Sequence, residues 1–178
     1  TFEKGFIYGI TAPSGTGKTT LLNLIGNILK PAQGEIETDF KTGIAYVFQE
    51  PELLSQLTIA ENIALPLAAY LKKEIAFEQA ISILQKMELD GFENRFPNEL
   101  SFGQQQRAAI ARALTYPSPL LLMDEPFKGL DEALSRRIIK RIRERQTENG
   151  QTILFTSHNP GELRLFADKT VRLDPTSH

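Results

Sequence analysis

The sequence contains no cysteine, which excludes disulfide bonds and thiolate metal sites. It has no long apolar run either, because its most apolar stretch, residues 63–71, is too short to span a bilayer and contains Pro66. Positive charge is not in excess: 20 Lys and Arg are balanced by 22 Asp and Glu, so the net charge of −2 gives no indication of a polyanionic partner. The first four residues lack the apolar core of a signal peptide, which predicts a cytosolic protein.

The length and composition indicate one ordinary soluble domain. The chain has 178 residues, of which 41% are hydrophobic and 24% charged. A chain of this length buries roughly 70% of its unfolded surface around a single core. We therefore predict one domain over residues 1–178.

A candidate phosphate-binding loop joins a predicted strand, residues 6–10, to a predicted helix, residues 20–29. The loop consists of Ala12, Pro13, Ser14, Gly15, Thr16, Gly17, Lys18, Thr19 and Thr20. Its glycines allow backbone N–H groups to close around phosphate oxygens, Lys18 adds a full positive charge, and Thr19 offers a hydroxyl to Mg²⁺. The alternative interpretation is a glycine-rich turn that binds nothing.

The loop departs from the pattern G-x-x-x-x-G-K-[ST] only at its first position, where Ala12 replaces glycine. Alanine adds one methyl group and restricts φ. We expect the change to cost little if the backbone of Ala12 is β-like.

A second buried strand is predicted over residues 44–48, and it ends on the polar residue Gln49 shortly before Pro51. On this observation alone, a solvated strand end is the simpler interpretation of Gln49. The preceding residues 35–40 alternate weakly, which suggests a short strand or a hairpin remnant.

The block 51–100 contains no strand signal. Thr58 and Glu61 form a capping box ahead of helical spacing, and another helix is predicted over residues 77–87. We therefore predict a helical subdomain over 51–100, inserted in a core formed by residues 1–50 and 101–178.

A further helix is predicted to run from Ser101, its N-cap, to about residue 114, with Gln104 in the capping-box position. A helix N-terminus with a free hydroxyl and a glycine, Gly103, is a candidate second anion site. An ordinary helix cap is the alternative.

Two acids stand at the end of the apolar run 120–123, which is typical of a parallel strand covered on both faces. Ligands of open α/β sheets bind at this edge. Adjacent carboxylates repel each other unless a cation lies nearby, so we predict Mg²⁺ beside Asp124 and a general base in Glu125. Two solvated acids in a turn are the alternative.

Asp131 is the predicted cap of a long amphipathic helix. The polar faces of this helix carry Arg136, Arg137, Lys140, Arg141, Arg143 and Arg145. A nucleic-acid patch is one interpretation, and a solvated helix face is the favoured one given the overall acidic balance. Another buried strand is predicted over residues 152–156, and a last strand over residues 169–173. His158 follows the first of these, where a ligand-sensing role is favoured over a packed core histidine.

The order of these motifs resembles that of the ATP-binding subunits of ABC transporters over nearly the whole chain. The phosphate-binding loop is followed by a Q-loop at Gln49, a signature at residues 100–104, an acidic strand motif ending at Glu125, a D-loop at residues 129–131 and a switch histidine at His158. The resemblance implies an α/β P-loop NTPase fold: a mostly parallel sheet flanked by helices, an inserted helical subdomain, and an N-terminal antiparallel subdomain that is reduced or missing.

The resemblance also implies roles for single residues. Lys18 and the loop backbone would hold the β- and γ-phosphates of ATP, and Thr19, Gln49 and Asp124 would organise Mg²⁺ directly or through water. Glu125 would polarise the attacking water, and His158 would contact the γ-phosphate.

Partners are implied in the same way. Ser101 and Gly103 would reach the γ-phosphate of a second subunit's nucleotide in a head-to-tail, ATP-dependent homodimer, and Gln104 and Asp131 would also belong to the nucleotide-binding residues. The dimer would drive an integral membrane permease from the inner face of the cell membrane, and no nucleic acid is expected as a partner. Short segments around Gln49 and Glu125 resemble importers of nitrate, sulfonate and taurine-like solutes, whereas residues 61–67 resemble exporters and lipoprotein-release systems, so the direction of transport stays open.

Two departures from the family pattern carry expectations of their own. Phe102 stands where the signature usually has glycine, and a positive φ there would cost roughly 1–3 kcal/mol. The family's adenine-stacking aromatic comes from a strand before the first residue of this sequence, so we expect weak discrimination between bases. Two alternatives remain: a soluble relative that acts on nucleic acid or ribosomes, and a nucleotide-binding subunit without turnover.

Overall fold

The computed structural model describes residues 1–13, 15–37 and 43–173. Five strands occur among them: β1 (Ile7–Thr11), β2 (Ala45–Val47), β3 (Leu120–Asp124), β4 (Thr152–Thr156) and β5 (Lys169–Arg172). Six α-helices accompany them: α1 (Lys18–Ile25), α2 (Ile59–Ala64), α3 (Lys73–Lys86), α4 (Phe102–Thr115), α5 (Glu132–Asn149) and α6 (Pro160–Phe166). Short 3₁₀ turns cover Leu65–Leu67 and Pro97–Glu99.

The strands form one sheet in the order β2-β3-β4-β1-β5, and every pairing is parallel. All residues of β3 and β4 are buried, as expected for apolar strands covered on both faces. In the register between these two strands Asp124 lies opposite Thr156. The polar groups that end neighbouring strands therefore meet at one edge of the sheet.

Except over residues 35–40, the predicted strands agree with the observed ones to within one residue, but the first helix differs from its prediction. It was expected over residues 20–29 and runs over Lys18–Ile25. It begins earlier because Gly17, with φ 90°, caps it directly from the loop. It ends earlier because Gly26 is its C-cap and the next residue, Asn27, has φ 57°.

The predicted strand or hairpin at 35–40 lies partly outside the described residues. Its described part, residues 35–37, is not a strand.

Two apolar layers hold the helices to the sheet. The larger contains Ile59, Ile63, Leu84, Ile110 and Ile138 from the helices and packs on side chains of β3 and β4 such as Met123 and Phe155. The smaller gathers Tyr8, Ile10, Leu22, Leu120, Leu122 and Leu154 on the opposite face, under α1.

The block 51–100 contains helices and short 3₁₀ turns joined by loops, with no strand, and its first helix has the predicted capping box at Thr58 and Glu61. The buried side chain of Asn62 fixes the turn before this helix, since it donates to the carbonyls of Leu54, Leu57 and Thr58 and accepts from the Leu54 N–H. A buried amide is tolerated because its hydrogen bonds are made within the turn.

The end of α3 is fastened to α4 and α5 by three arginines. Arg107 donates to the carbonyls of Met87 and Glu88 at 2.7 and 2.5 Å. The Glu88 carboxylate accepts two hydrogen bonds from Arg137 and pairs with Arg141 at 3.1 Å. These contacts link the helical block to the helices that follow it.

None of the helices in the described residues is long and apolar enough to cross a membrane.

Candidate functional site

The carboxyl ends of β1, β3 and β4 lie side by side, and the candidate phosphate-binding loop leaves this edge after β1. Gly15 and Gly17 have φ values of 79° and 90°, which side chains rarely adopt, and a Cβ at Gly15 would meet nothing within 4 Å. The loop backbone is thus free to turn its N–H groups towards a ligand in front of α1. Ser14 lies outside the described residues, whereas Pro13, Thr16 and Thr20 lie in or beside the loop as predicted.

Lys18 is 8% exposed, and its ammonium group donates a hydrogen bond of 3.1 Å to the carbonyl of Ala12. The charge therefore lies inside the loop rather than in bulk water. Ala12 itself is not among the three described non-glycine residues with positive φ. Alanine at the first position of the loop therefore does not need the left-handed backbone conformation that favours glycine.

Asp124 is the centre of the polar edge, and it is 2% exposed. Its Oδ2 accepts a hydrogen bond of 2.6 Å from the Thr19 hydroxyl, and its Oδ1 accepts one of 2.5 Å from the Thr156 hydroxyl. Both bonds are charge-assisted, which makes them stronger than bonds between neutral groups. They join the strand β3 to the phosphate-binding loop on one side and to β4 on the other.

Glu125 continues the chain with φ 45°, an unusual value for a residue with a side chain. Its N–H donates a hydrogen bond of 3.0 Å to the Thr156 hydroxyl, which supports this conformation. Its Oε1 lies 2.5 Å from the Nε2 of His158, whose side chain is 48% exposed. The turn thus directs the carboxylate towards the histidine at the end of the neighbouring strand.

Gln49 lies just after β2, next to β3 in the sheet, and is half-buried. It makes no side-chain hydrogen bond to any residue that the structure describes. Its place at the same edge agrees with the predicted role, and its contact with a ligand stays a prediction.

The signature residues form a second group. Ser101 caps α4 and makes the predicted capping box with Gln104. A Cβ on Gly103 would lie 2.7 Å from the carbonyl oxygen of Gly129, so the start of α4 rests on the turn that leads to Asp131. Asp131 accepts a hydrogen bond of 2.8 Å from the N–H of Leu134 and caps α5.

This second group is not joined to the phosphate-binding loop. Within the described ranges, the hydrogen bonds of Ser101, Gln104 and Asp131 stay inside their own helix caps. The structure therefore brings Lys18, Asp124 and His158 to one edge and leaves the signature beside the D-loop.

Phe102 does not carry the backbone strain considered for it. It is the first residue of α4 and is not among the described residues with positive φ. Its ring packs against Gly129, where a Cβ would lie 2.7 Å from its Cδ1, and the Lys128 ammonium lies 5.5 Å from the ring centroid. The substitution therefore places a ring between the signature and the D-loop without straining the helix start.

The basic side chains of α5 have partners within the protein. Arg136 pairs with Glu132, and Arg143 pairs with Asp168 at 2.8 Å. Arg145 donates to the Leu114 carbonyl, and burial lowers its pKa. This pattern favours a structural helix face over a nucleic-acid patch.

Two residues of the site were missed by the sequence analysis. Thr156 connects Asp124 to Glu125, and the signal that could have found it is a polar residue at the carboxyl end of a buried strand. Glu162, in the first turn of α6, accepts a hydrogen bond of 2.5 Å from Ser157, next to His158. Its contact depends on the tertiary turn, and nothing in its sequence surroundings marks it.

The donor groups fit Mg²⁺ and phosphate. Mg²⁺ takes hard oxygen ligands and is usually held by one or two carboxylates together with substrate phosphates and water. The Thr19 hydroxyl and the Asp124 carboxylate meet this description and are already 2.6 Å apart. No group of three His, Cys, Asp or Glu side chains that could hold another kind of metal occurs in the described residues.

Comparison with known proteins gives a consistent result. The family model described as "ABC transporter" matches residues 1–128. The thiamine import ATP-binding proteins ThiQ of Shigella flexneri serotype 5b and Escherichia coli O157:H7 are each 38% identical over 181 residues, covering 96% of this chain and 78% of the relative.

Solved structures agree with these relatives. The ATP-binding cassette MJ0796, in a dimeric post-hydrolysis state bound to ADP and Pi, superimposes with a TM-score of 0.91 at 34% identity, over 98% of this chain and 84% of that one. A second dimeric structure of MJ0796 gives a TM-score of 0.89 at 33% identity, over 97% and 83% of the two chains. The predicted fold class is confirmed.

Proposed function

This chain belongs to the ABC transporter family. On that premise we propose which residues bind the phosphates and Mg²⁺ and which take part in ATP hydrolysis. The chain is an ATP-binding subunit and an ATPase that uses Mg²⁺. It acts with a membrane permease and forms a dimer with a second ATPase subunit. The predictions of the family, the ATPase activity, ATP and Mg²⁺, and the permease and dimer partners are confirmed, and the tasks of single residues are the proposal.

The loop after β1 binds the phosphates of ATP. The N–H groups around Gly15 and Gly17 and the N-terminus of α1 face the phosphate chain, and Lys18 neutralises its β and γ groups. The Thr19 hydroxyl and the Asp124 carboxylate hold Mg²⁺, with Gln49 reaching it directly or through water. Bound there, Mg²⁺ neutralises charge on the phosphate oxygens as the γ-phosphoryl group is transferred.

Glu125 and His158 act together in the hydrolysis step. Glu125 accepts a proton from the attacking water, and its carboxylate is held for this task by the turn that Thr156 supports. His158 orients that carboxylate and contacts the γ-phosphate. The remaining contribution is positioning and charge stabilisation, since phosphoryl transfer needs little covalent chemistry from the protein.

The second subunit completes each site. Ser101, Gly103 and Gln104 meet the γ-phosphate bound by the other subunit in a head-to-tail dimer, and Asp131 meets the facing D-loop. The hydrogen bonds of Ser101, Gln104 and Asp131 support this arrangement, because among the described residues they stay within their own helix caps and do not join the phosphate-binding loop of the same chain. Closure on ATP and opening after hydrolysis then move the permease.

The direction of transport and the location are part of the proposal. Likeness to thiamine import proteins favours uptake of a small organic solute, and the nitrate, sulfonate and taurine-type branch remains one candidate class. The chain would lie on the inner face of the cell membrane, bound to the permease. The division into a core and a helical subdomain, 51–100, is proposed with it and is supported by the absence of strands in that block.

The observation that carries the proposal is the double anchoring of Asp124 between Thr19 and Thr156, one residue before Glu125. It supports the assignment of Asp124 as the carboxylate that holds Mg²⁺ and of Glu125 as the base, because the two residues are consecutive at one turn. The experiment is Mg²⁺-dependent ATP hydrolysis by the full chain and by Glu125→Gln, with size-exclusion chromatography of the variant in ATP.

We expect hydrolysis by the wild type, a loss of about 10²-fold or more in E125Q, and an ATP-dependent dimer of the variant. Glu74→Gln, an exposed acid in the first turn of α3, is the matched control and should leave the rate unchanged. Nucleotide binding without hydrolysis or dimerisation in the wild type would contradict the proposal and favour a subunit without turnover.

A further inference from the structure

Glu162 joins the residues on both sides of His158. Its Oε2 accepts a hydrogen bond of 2.5 Å from the Ser157 hydroxyl, and its Oε1 accepts one of 3.5 Å from the side-chain amide of Asn159. The Ser157 hydroxyl oxygen accepts a further bond of 3.0 Å from the Asn159 N–H. His158 therefore lies in a short loop whose two flanking residues are held by one carboxylate.

The imidazole of His158 depends on this loop for its direction. Its side chain is 48% exposed, and its polar contact in the described chain is the Glu125 carboxylate at 2.5 Å. Ser157, in contrast, is buried, and its N–H donates to the Ile10 carbonyl at 3.4 Å. An exposed ring keeps one orientation only if the backbone beneath it is fixed, because surface side chains otherwise populate several rotamers.

Glu162 differs from an ordinary acidic residue in the first turn of a helix. Such acids interact favourably with the helix dipole while they remain in water. Glu162 is half-buried, and burial, followed by the negative charge of Glu125, raises its pKa. Arg136, Arg164 and Glu132 line the cavity of about 660 Å³ beside it. Glu162 is thus held partly out of water, at an electrostatic cost to its charged form, in a place where it fixes the loop.

We infer that Glu162 is a positioning residue for ATP hydrolysis, which acts through Ser157 and Asn159 to hold His158 against Glu125. The inference rests on the proposed function, because it assumes that the His158 side chain takes part in hydrolysis. It predicts that the reach of the Glu162 side chain matters more than its charge. Glutamine keeps the reach and an acceptor for the Ser157 hydroxyl, whereas aspartate keeps the charge and shortens the reach.

The test compares kcat and KM for Mg-ATP in the full chain and in Glu162→Ala, Glu162→Asp and Glu162→Gln. We expect kcat to fall roughly tenfold in E162A and E162D and to stay within about threefold of wild type in E162Q. The KM should be unchanged, because the phosphate-binding loop is untouched. Glu74→Ala is the matched control, an exposed acid in the first turn of another helix, and should behave as wild type.

A double-mutant cycle separates positioning from general damage. If Glu162 acts through His158, E162A should lower kcat by less than about twofold in a His158→Ala background. The chain has two histidines, so the imidazole proton resonance of His158 is assigned by its loss in H158A. That resonance should move towards its position in a denatured chain in E162A and keep its native position in E162Q.

The outcomes distinguish the inference from the function on which it rests. An unchanged kcat in E162A, or additive losses with H158A, would overturn the role of Glu162 while E125Q and H158A still lose activity. Full activity of E125Q and H158A would overturn the proposed function itself. If E162A fails to fold, Ser157→Ala removes the same hydrogen bond and should reproduce the loss in kcat and the shift of the His158 resonance.

Discussion

Replacing Thr156 with valine tests which contacts hold Asp124 and Glu125 in place at the edge of the sheet. Thr156 is fully buried at the end of β4, and its hydroxyl donates to Asp124 at 2.5 Å while it accepts from the Glu125 N–H at 3.0 Å. Valine has nearly the same shape but neither bond. The change therefore removes polar contacts with little change in packing.

The expected loss of stability follows from the two bonds. A hydrogen bond to a charged group contributes about 1.5–3 kcal/mol and a neutral one about 1 kcal/mol, so Thr156→Val should lower the free energy of unfolding by about 2–4 kcal/mol. For a chain of this size, Tm should fall by roughly 4–16 °C. The rate should fall as well, roughly tenfold or more, because Glu125 loses the acceptor that supports its positive φ.

Thr152→Val is the matched control on the same strand. Thr152 is also buried, and its hydroxyl accepts a single bond of 2.9 Å from the Gly5 N–H, at the opposite end of β4. It should cost about 0.5–1.5 kcal/mol and leave kcat unchanged. Thermal unfolding and steady-state hydrolysis of both variants give the comparison.

The reasoning would be refuted if the two variants lost equal activity, or if T156V hydrolysed ATP at the wild-type rate. Equal losses would mean that burial of a threonine hydroxyl in β4 matters in general. A wild-type rate would mean that Asp124 and Glu125 are held by other contacts.

Three further predictions follow from single contacts. Gly103→Ala places a Cβ 2.7 Å from the Gly129 carbonyl oxygen, so it should abolish the ATP-dependent dimer in size-exclusion chromatography; a retained dimer would contradict this. Glu88→Gln should lower the free energy of unfolding at pH 7, because the hydrogen bond from Arg137 lowers the pKa of Glu88. Urea titrations should show this difference shrinking as pH falls below 4.5, and a difference that persists at low pH would disprove it. Burial raises the pKa of Glu162 in the folded protein, so the folded state favours the protonated carboxyl. Its contribution to the free energy of unfolding is therefore lost as pH rises above 4.5. Glu162→Gln should therefore gain stability relative to wild type with rising pH, and a pH-independent difference would exclude this cause.

The sequence was sufficient for the elements and for the order of the motifs. The strand β4 was predicted with its observed bounds because an apolar, β-branched run between polar ends has few alternatives. The capping boxes at Thr58 and Ser101 were predicted correctly because they depend on side chains three residues apart. The phosphate-binding loop is equally local, since its glycines and Lys18 are consecutive.

The sequence was insufficient where a role depends on contacts between distant segments. The sequence predicts strain at Phe102 only if its φ is positive, and the structure shows that it is not, since Phe102 begins α4 and packs against the turn at Gly129. The helix after the loop was predicted too late along the chain because the left-handed Gly17 that caps it is a property of the folded loop.

What the sequence determined by itself is therefore the family, the element types and the chemical groups available, because these depend on neighbouring residues and on the order of the motifs. Only the tertiary structure decided that Thr156 links Asp124 to Glu125 and that Glu162 holds the loop of His158. The physical reason is the parallel register of β3 and β4, which sets Asp124 opposite Thr156. The same register brings Thr156 to Glu125, although these two residues lie 31 positions apart in the sequence. Such pairings depend on the packing of the whole sheet, and no local pattern encodes them.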